Sequence, residues 1–158
     1  KENSKVEKVK VLIADDNVPF CEVLKKYLSQ FDDIEVVGIA NSDEEEILLI
    51  QKLDIDIIIT DLMRNHKYSG LDIIKDCNQL HKKIDFIIIS AAYEDINLLK
   101  DVKYAGYIRK PIFDYSIILN EIRRVVRENR QVTISEEKHF KKINILDKII
   151  NFLRITRV

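Results

Sequence analysis

Four apolar runs in this chain end at residues that carry or bind charge, and nothing else in the sequence limits the fold so tightly. Residues 9–14 (VKVLIA) stop at Asp15-Asp16, 55–60 (IDIIIT) at Asp61, 84–89 (IDFIII) at Ser90, and 105–108 (AGYI) just before Lys110-Pro111. Runs of this kind suit strands buried on both faces of a sheet. In an open parallel α/β sheet the carboxyl ends of the strands face one crevice, where ligands bind. Three carboxylates, a hydroxyl and an ammonium group would then converge there. Bare carboxylates packed together repel, so the cluster makes sense around a hard cation, in a pocket able to accept a phosphoryl group.

The intervening segments are helical in pattern. Residues 34–40 (IEVVGIA) read as a further strand, the second in chain order. Phe20, Val23, Leu24, Tyr27, Leu28 and Phe31 recur at helical spacing in 17–31, where Asp16 or Asn17 can cap and Pro19 fits the first turn. Ser42 and Glu45 stand at capping-box spacing before a helix that runs to about Lys52. Leu71, Ile74 and Leu80 mark a helix over 70–82, a short weak one covers 95–102, and a fifth covers 114–126. Five successive β-α units imply a parallel sheet with right-handed crossovers and helices on both faces. Beyond Arg127 the pattern predicts a polar connector over 128–135. A further amphipathic helix follows over 136–155, with Phe140, Ile143, Leu146, Ile149, Ile150 and Leu153 on one side at roughly heptad spacing.

The chain's 158 residues suffice for one domain with a core plus an appendage. A net charge of −1 gives no global basic field for nucleic acid. Cys21 and Cys77 fall on separate predicted helices without metal-ligand spacing, which suits reduced packing residues. No apolar stretch is long enough to span a bilayer and the N-terminal stretch is charged, so the expectation is a cytoplasmic protein with no membrane partner. No G-x-G-x-x-G follows the first strand, which counts against a dinucleotide site. No second acid/base carboxylate closely follows Asp61, which counts against a hydrolase or phosphatase.

The motifs IADDN at 13–17, ITDLM at 59–63, IISAA at 88–92 and YIRKP at 107–111 occur in this order, each at a strand end. Together they resemble the receiver (CheY-like) domain of two-component response regulators, over roughly residues 9–127. The stretch VKVLIADDN…EVVGIA is similar in particular to the receivers of sporulation master regulators of spore-forming Firmicutes. The resemblance implies an α/β fold: a doubly wound, five-stranded parallel sheet of order 2-1-3-4-5, flavodoxin-like, with five helices, plus an extra C-terminal helix. The expected organisation is a tail over 1–8, the receiver over 9–127, and a connector with its helix over 128–158.

The same resemblance assigns roles. Asp61 matches the phospho-acceptor, a carboxylate nucleophile that forms an acyl phosphate. The implied cofactor is Mg²⁺, bound directly by Asp16, by Asp61 and by the backbone carbonyl of Met63, with Asp15 acting through a coordinated water. Lys110 supplies fixed positive charge to Asp61 or its phosphoryl oxygens. The bond between Lys110 and Pro111 is cis in the family. Ser90 offers its hydroxyl to the phosphoryl group, and the small Ala91 leaves a path for the donor. Ser90 and Tyr107 form the switch, the ring rotating as Ser90 moves. Plainer roles exist for each: loop or helix caps for Asp15, Asp16, Asp61 and Ser90, a surface lysine for Lys110, a good β-former for Tyr107.

The implied function is a switch, not a metabolic enzyme, with Mg²⁺-dependent self-phosphorylation and autodephosphorylation only. A sensor histidine kinase or a histidine phosphotransfer protein is the donor. The readout surface is the fourth helix, fifth strand and fifth helix, roughly 93–126. A homodimer is expected through that surface or through the C-terminal helix, and DNA is a partner only if an output domain follows Val158. The alternative is a phosphorylation-independent interaction module of the same fold. It is motivated by the loop after Asp61, where no Pro follows Met63 and Gly70 stands nine residues past the acceptor. The segment Arg64-Asn65-His66-Lys67-Tyr68-Ser69 is about one residue longer and more basic than the family's, and His66 lacks partners at ligand spacing and reads as a solvated loop residue. A short fourth helix is expected from the shortened stretch before Tyr107.

Overall fold

Strands β1 (Val9–Ala14), β2 (Ile34–Ala40), β3 (Ile57–Thr60), β4 (Asp85–Ser90) and β5 (Gly106–Arg109) form one parallel sheet of order β2-β1-β3-β4-β5. This is the doubly wound order implied by the motifs. The computed structural model describes residues 7–91 and 95–155, and only the backbone of Asp95, Ile96 and Ile155. The helices are α1 (Val18–Leu28), α2 (Asp43–Lys52), α3 (Ser69–Gln79), α4 (Asp95–Leu98) and α5 (Ser116–Ile155).

Strand side chains alternate between the faces of the sheet. Leu12, Ile58, Phe86 and Ile88 join Ile50 of α2 and Leu71, Ile73 and Ile74 of α3 in one cluster. The other parity, Val11, Ile13, Ile57, Ile59, Ile87 and Ile89, is also buried. Each such side chain contributes about 1.5–3 kcal/mol. On α1, Cys21, Leu24 and Leu28 are buried, and Tyr27 places its ring 5.8 Å from that of Tyr115, just before α5. Both cysteines are free and buried.

The caps follow the sequence closely. Asn17, not Asp16, caps α1, its side chain accepting from the Phe20 amide, with Pro19 in the first turn. Ser42 caps α2 by accepting from the Glu45 amide, while the Glu45 carboxylate reaches back one residue further, to the amide of Asn41. β3 begins two residues later than expected. Asp56 instead ties itself to Lys10, its carboxylate accepting the Lys10 amide at 2.8 Å. α4 is shorter than expected, since Leu99 and Val102 turn inward to the core. Ala92 and Tyr93, the end of one motif and the start of the expected readout surface, lie outside the described residues.

The largest difference is at the C-terminus. The expected connector over 128–135 is helical, so the fifth and extra helices are one element, Ser116–Ile155. The reason is in the sequence: no Gly or Pro occurs after Pro111, and Arg, Glu and Gln in the polar stretch are good helix formers. The chain divides into two compact units, Lys1–Arg123 and Arg124–Val158, the division falling within α5. In the second unit the side chains of 127–154 are exposed, Ile143, Leu146, Ile150 and Leu153 among them. Among the described residues no helix is long and apolar enough to cross a membrane.

Candidate functional site

Strand register assembles the site. Ala14 stands opposite Thr60 between β1 and β3, so Asp15 and Asp61 leave neighbouring strands at the same level. Ser90 stands opposite Arg109 between β4 and β5, so Lys110 leaves β5 one residue beyond the level of Ser90. The main chain reinforces this: the Asp61 amide donates to the Ala14 carbonyl at 3.0 Å and the Lys110 amide to the Ser90 carbonyl at 2.9 Å. The place is the carboxyl end of the sheet, where strand order reverses about β1.

The Lys110 ammonium is shared, 2.8 Å from Asp15 Oδ2 and 2.8 Å from Asp61 Oδ2. The remaining Asp61 oxygen accepts the Met63 amide at 3.3 Å, and Asp15 Oδ1 accepts the Asn17 amide at 2.8 Å. Asp16 is exposed, and its carboxylate accepts the Asn65 amide at 3.2 Å. Oxygens of Asp15, Asp16 and Asp61 lie within 4.8 Å of one another. Lys110 Nζ also lies 5.4 Å from the centre of the Phe20 ring, within cation–π range. The bond between Lys110 and Pro111 is cis. Ala91 and Lys110 line an open cavity of about 330 Å³ with Asn17, Phe20, Pro111 and Ile112. Ser90 is buried at the end of β4, and Tyr107 is half-buried against the core. His66 is exposed.

The electrostatics favour a cation. Burial raises the Asp61 carboxyl above its ordinary pKa, Lys110 pulls it back, and the neighbouring Asp15 charge raises it again. Burial alone would lower the Lys110 pKa, but its bonds to Asp15 and Asp61 outweigh that and hold it above the usual value. Three carboxylates against one ammonium leave two negative charges in excess in a partly desolvated pocket. An all-oxygen donor set of this kind fits Mg²⁺, which takes one or two carboxylates, keeps several waters and shares phosphate oxygens.

A second ionic cluster lies beside the first, and its central residue belongs to the polar, basic loop after Asp61. Arg64 is only 3% exposed. Its Nη1 pairs with Glu46 Oε2 at 2.5 Å and with Asp43 Oδ1 at 2.9 Å. Its Nη2 donates to Thr60 Oγ1 at 2.7 Å and to the Ala14 carbonyl at 3.4 Å. Burial raises the Glu46 pKa against the pull of Arg64. The readable signal was on α2: Glu46 precedes Ile50 by four residues and so occupies the inward stripe of the helix, where a charge needs a buried partner. The loop closes in a tight turn over 64–67. Arg64 and Lys67 exchange backbone hydrogen bonds of 2.8 and 2.9 Å. Asn65 and His66 between them have φ of 48° and 61°, a type I′ geometry.

The model of the response regulator receiver domain family matches residues 11–123. The chain belongs to that family. Transcriptional regulatory protein MalR of Bacillus subtilis (strain 168) is 32% identical over 120 residues, 73% of this chain and 51% of MalR, so the chain spans about half the length of this curated relative. A CheY-like receiver domain protein from Methanospirillum hungatei JF-1 superposes with a TM-score of 0.69 at 20% identity, covering 79% of this chain and 98% of its own. A receiver protein from Pseudomonas putida gives 0.64 at 26% identity, covering 74% and 97%. RcsB of Salmonella enterica serovar Typhimurium, solved bound to a promoter with phosphomimetic BeF3-, gives 0.68 at 22% identity, covering 77% and 62%. These likenesses establish a two-component receiver fold and do not bear on the narrower resemblance to sporulation regulators.

Proposed function

We propose that this receiver, spanning about 9–127, takes a phosphoryl group on Asp61 from a phosphohistidine of a sensor histidine kinase or histidine phosphotransfer protein. The observation that carries this reading is the convergence of Asp15, Asp16 and Asp61 within 4.8 Å of one another, with Lys110 2.8 Å from Asp61. An Asp61 carboxylate oxygen attacks phosphorus, the P–N bond to the donor imidazole breaks, and the imidazole recovers its electron pair and takes up a proton. Water later cleaves the acyl phosphate, restoring Asp61 and releasing inorganic phosphate. Lys110 stabilises the charge on the transferring oxygens. Asp16, Asp61 and the Met63 carbonyl would hold Mg²⁺ directly and Asp15 through a water, and the ion would supply positive charge that offsets the repulsion between donor and acceptor. Ser90 then bonds the phosphoryl oxygen, Tyr107 follows it inward, and the surface of α4, β5 and the first turns of α5 changes its partner preference.

The setting is cytoplasmic, and the output is a second partner. The relative is a transcriptional regulator and RcsB was solved on a promoter, which supports DNA as the target where an output domain follows Val158. Self-association through the second unit is supported by its apolar seam, and Lys142 and Asp147 stand five residues apart, the spacing of a g-to-e′ pair in a parallel coiled coil. The phosphorylation-independent module is the weaker reading, because all the charged groups needed for transfer are present and assembled.

The test is intact-mass spectrometry after incubation with Mg²⁺ and acetyl phosphate, on wild type and Asp61→Asn. One added phosphoryl group on wild type alone is the expected result. Full labelling of Asp61→Asn would sink the assignment.

A further inference from the structure

Arg64 stands three residues past Asp61, in a loop that departs from the family's usual form, and four facts set it apart. It is almost wholly buried, as is its partner Glu46. The pair is imperfectly satisfied: Arg64 Nε and Glu46 Oε1 are buried without a hydrogen-bond partner. A buried ion pair of this kind stabilises a fold no better than a well-packed apolar pair, so stability alone does not account for it. Finally, apart from Glu46 and Asp43 on α2, its contacts lead to the acidic site. Nη2 bonds Ala14, the residue before Asp15, and Thr60, the residue before Asp61. The Arg64 main chain closes the turn whose Asn65 amide holds the Asp16 carboxylate. Met63, whose amide bonds Asp61, is the adjacent residue.

We propose that Arg64, anchored on α2 by Glu46 and Asp43, is a positioning residue that sets the spacing of Asp15, Asp16 and Asp61 and thereby the affinity of the site for Mg²⁺. One planar guanidinium reaches α2 and the residues before Asp15 and Asp61 at once, which its fork geometry makes possible where a lysine's single ammonium would not, while the Arg64 main chain closes the turn that holds Asp16. Side chains that orient the groups around a metal without touching it commonly change affinity by about 10–100-fold when removed. The clamp also explains how the atypical loop keeps a site together. The inference rests on the metal reading given above, and its test separates the two.

The experiment is calorimetric titration of Mg²⁺ into the full chain, for wild type, for the double variant Arg64→Met/Glu46→Leu, and for Arg64→Lys. The double variant removes both buried charges together, and circular dichroism and the thermal midpoint check that it folds. The expected result is a folded double variant that binds Mg²⁺ about tenfold more weakly than wild type. A folded double variant that binds within twofold of wild type overturns the proposal. Arg64→Lys keeps the charge but not the fork, so it answers the question even if the double variant does not fold: binding weakened threefold or more supports the proposal, and unchanged binding overturns it. If wild type itself binds no Mg²⁺, the metal reading has failed, and the clamp has no affinity to set.

Discussion

Lys110 and Arg64 each hold two carboxylates at the same end of the sheet, and they do so in opposite ways. The Lys110 side chain is 23% exposed and bonds two of the three clustered carboxylates, the third, Asp16, being open to solvent. Arg64 is sealed in, and each of its terminal nitrogens has two acceptors. The first cluster is left with unbalanced charge and an open face, so a cation or a phosphoryl group can enter and change it. The second is closed and cannot be changed without breaking the loop. The proposed phosphorylation would change the charge of the first cluster, while the second stays fixed beside it.

The largest contrast should appear in stability. Arg64→Met alone strands Glu46, which is 0% exposed, and should cost about 3–5 kcal/mol in urea unfolding. Lys110→Met should cost less, about 1–3 kcal/mol, because solvent reaches its pocket. Equal losses would erase the distinction between a closed and an open cluster. Metal sharpens the same contrast. Mg²⁺ at about 100 times its dissociation constant should stabilise wild type by about 2.7 kcal/mol. Asp61→Asn removes one of the carboxylates and should lose most of that increment. An undiminished increment would move the ion to another site.

Gly70 tests how closely the Asp61 main chain and α3 are pressed together. A Cβ built there would run into the Asp61 carbonyl oxygen, a backbone atom that cannot swing aside. Gly70→Ala should therefore destabilise the chain by about 1–3 kcal/mol and slow labelling of Asp61 by acetyl phosphate. A variant as stable and as readily labelled as wild type would show that the loop has slack.

How far the sequence revealed the two clusters follows from the kind of signal each carries. Asp15, Asp16, Asp61 and Lys110 were legible because each ends an apolar run, and strand ends in a parallel sheet have one destination. β1 and β2 matched to the residue for the same reason. The Arg64 cluster was not legible. Its arginine lies in a polar loop, Glu46 sits in an acidic run that also suits a helix N-terminus, and their pairing is long-range. Only the placement of Glu46 on the inward stripe of α2 gave a hint. The polarity of 128–135 reads as a break between the fifth and extra helices, which the structure joins. No residue there breaks a helix, and polar residues alone do not.

An exposed pair gives the reference for both buried clusters. Arg123 forks onto Asp33 with two bonds of 2.9 Å, and that hydrogen bonding holds the Asp33 carboxyl below its ordinary pKa. A depressed carboxyl contributes stability that is present above the unfolded-state pKa, about 3.9, and is lost as pH falls through the lower folded value. Because both side chains are about two-fifths exposed, solvent screening keeps the effect under about 1 kcal/mol. The stability difference between wild type and Asp33→Asn should therefore be small at neutral pH and shrink in acid. A difference that grew on acidification would reverse the sign of the pair.

The smallest effect concerns the turn that Arg64 closes. His66 has φ of 61° at the third position of its type I′ turn, where glycine is favoured. Left-handed backbone costs a non-glycine residue about 1–2 kcal/mol. Replacing it by glycine also frees the unfolded chain, which returns about 0.4–1 kcal/mol of that gain. His66→Gly should therefore stabilise the chain by about 0.5 kcal/mol, seen as a higher urea midpoint at unchanged slope. Because the side chain is exposed and its neighbours on the turn are held by Arg64 and Asp16, nothing else should change. A loss of stability instead would mean that the imidazole makes a contact worth more than the strain it carries. The turn would then be held from its solvent side as well as from the buried cluster beneath it.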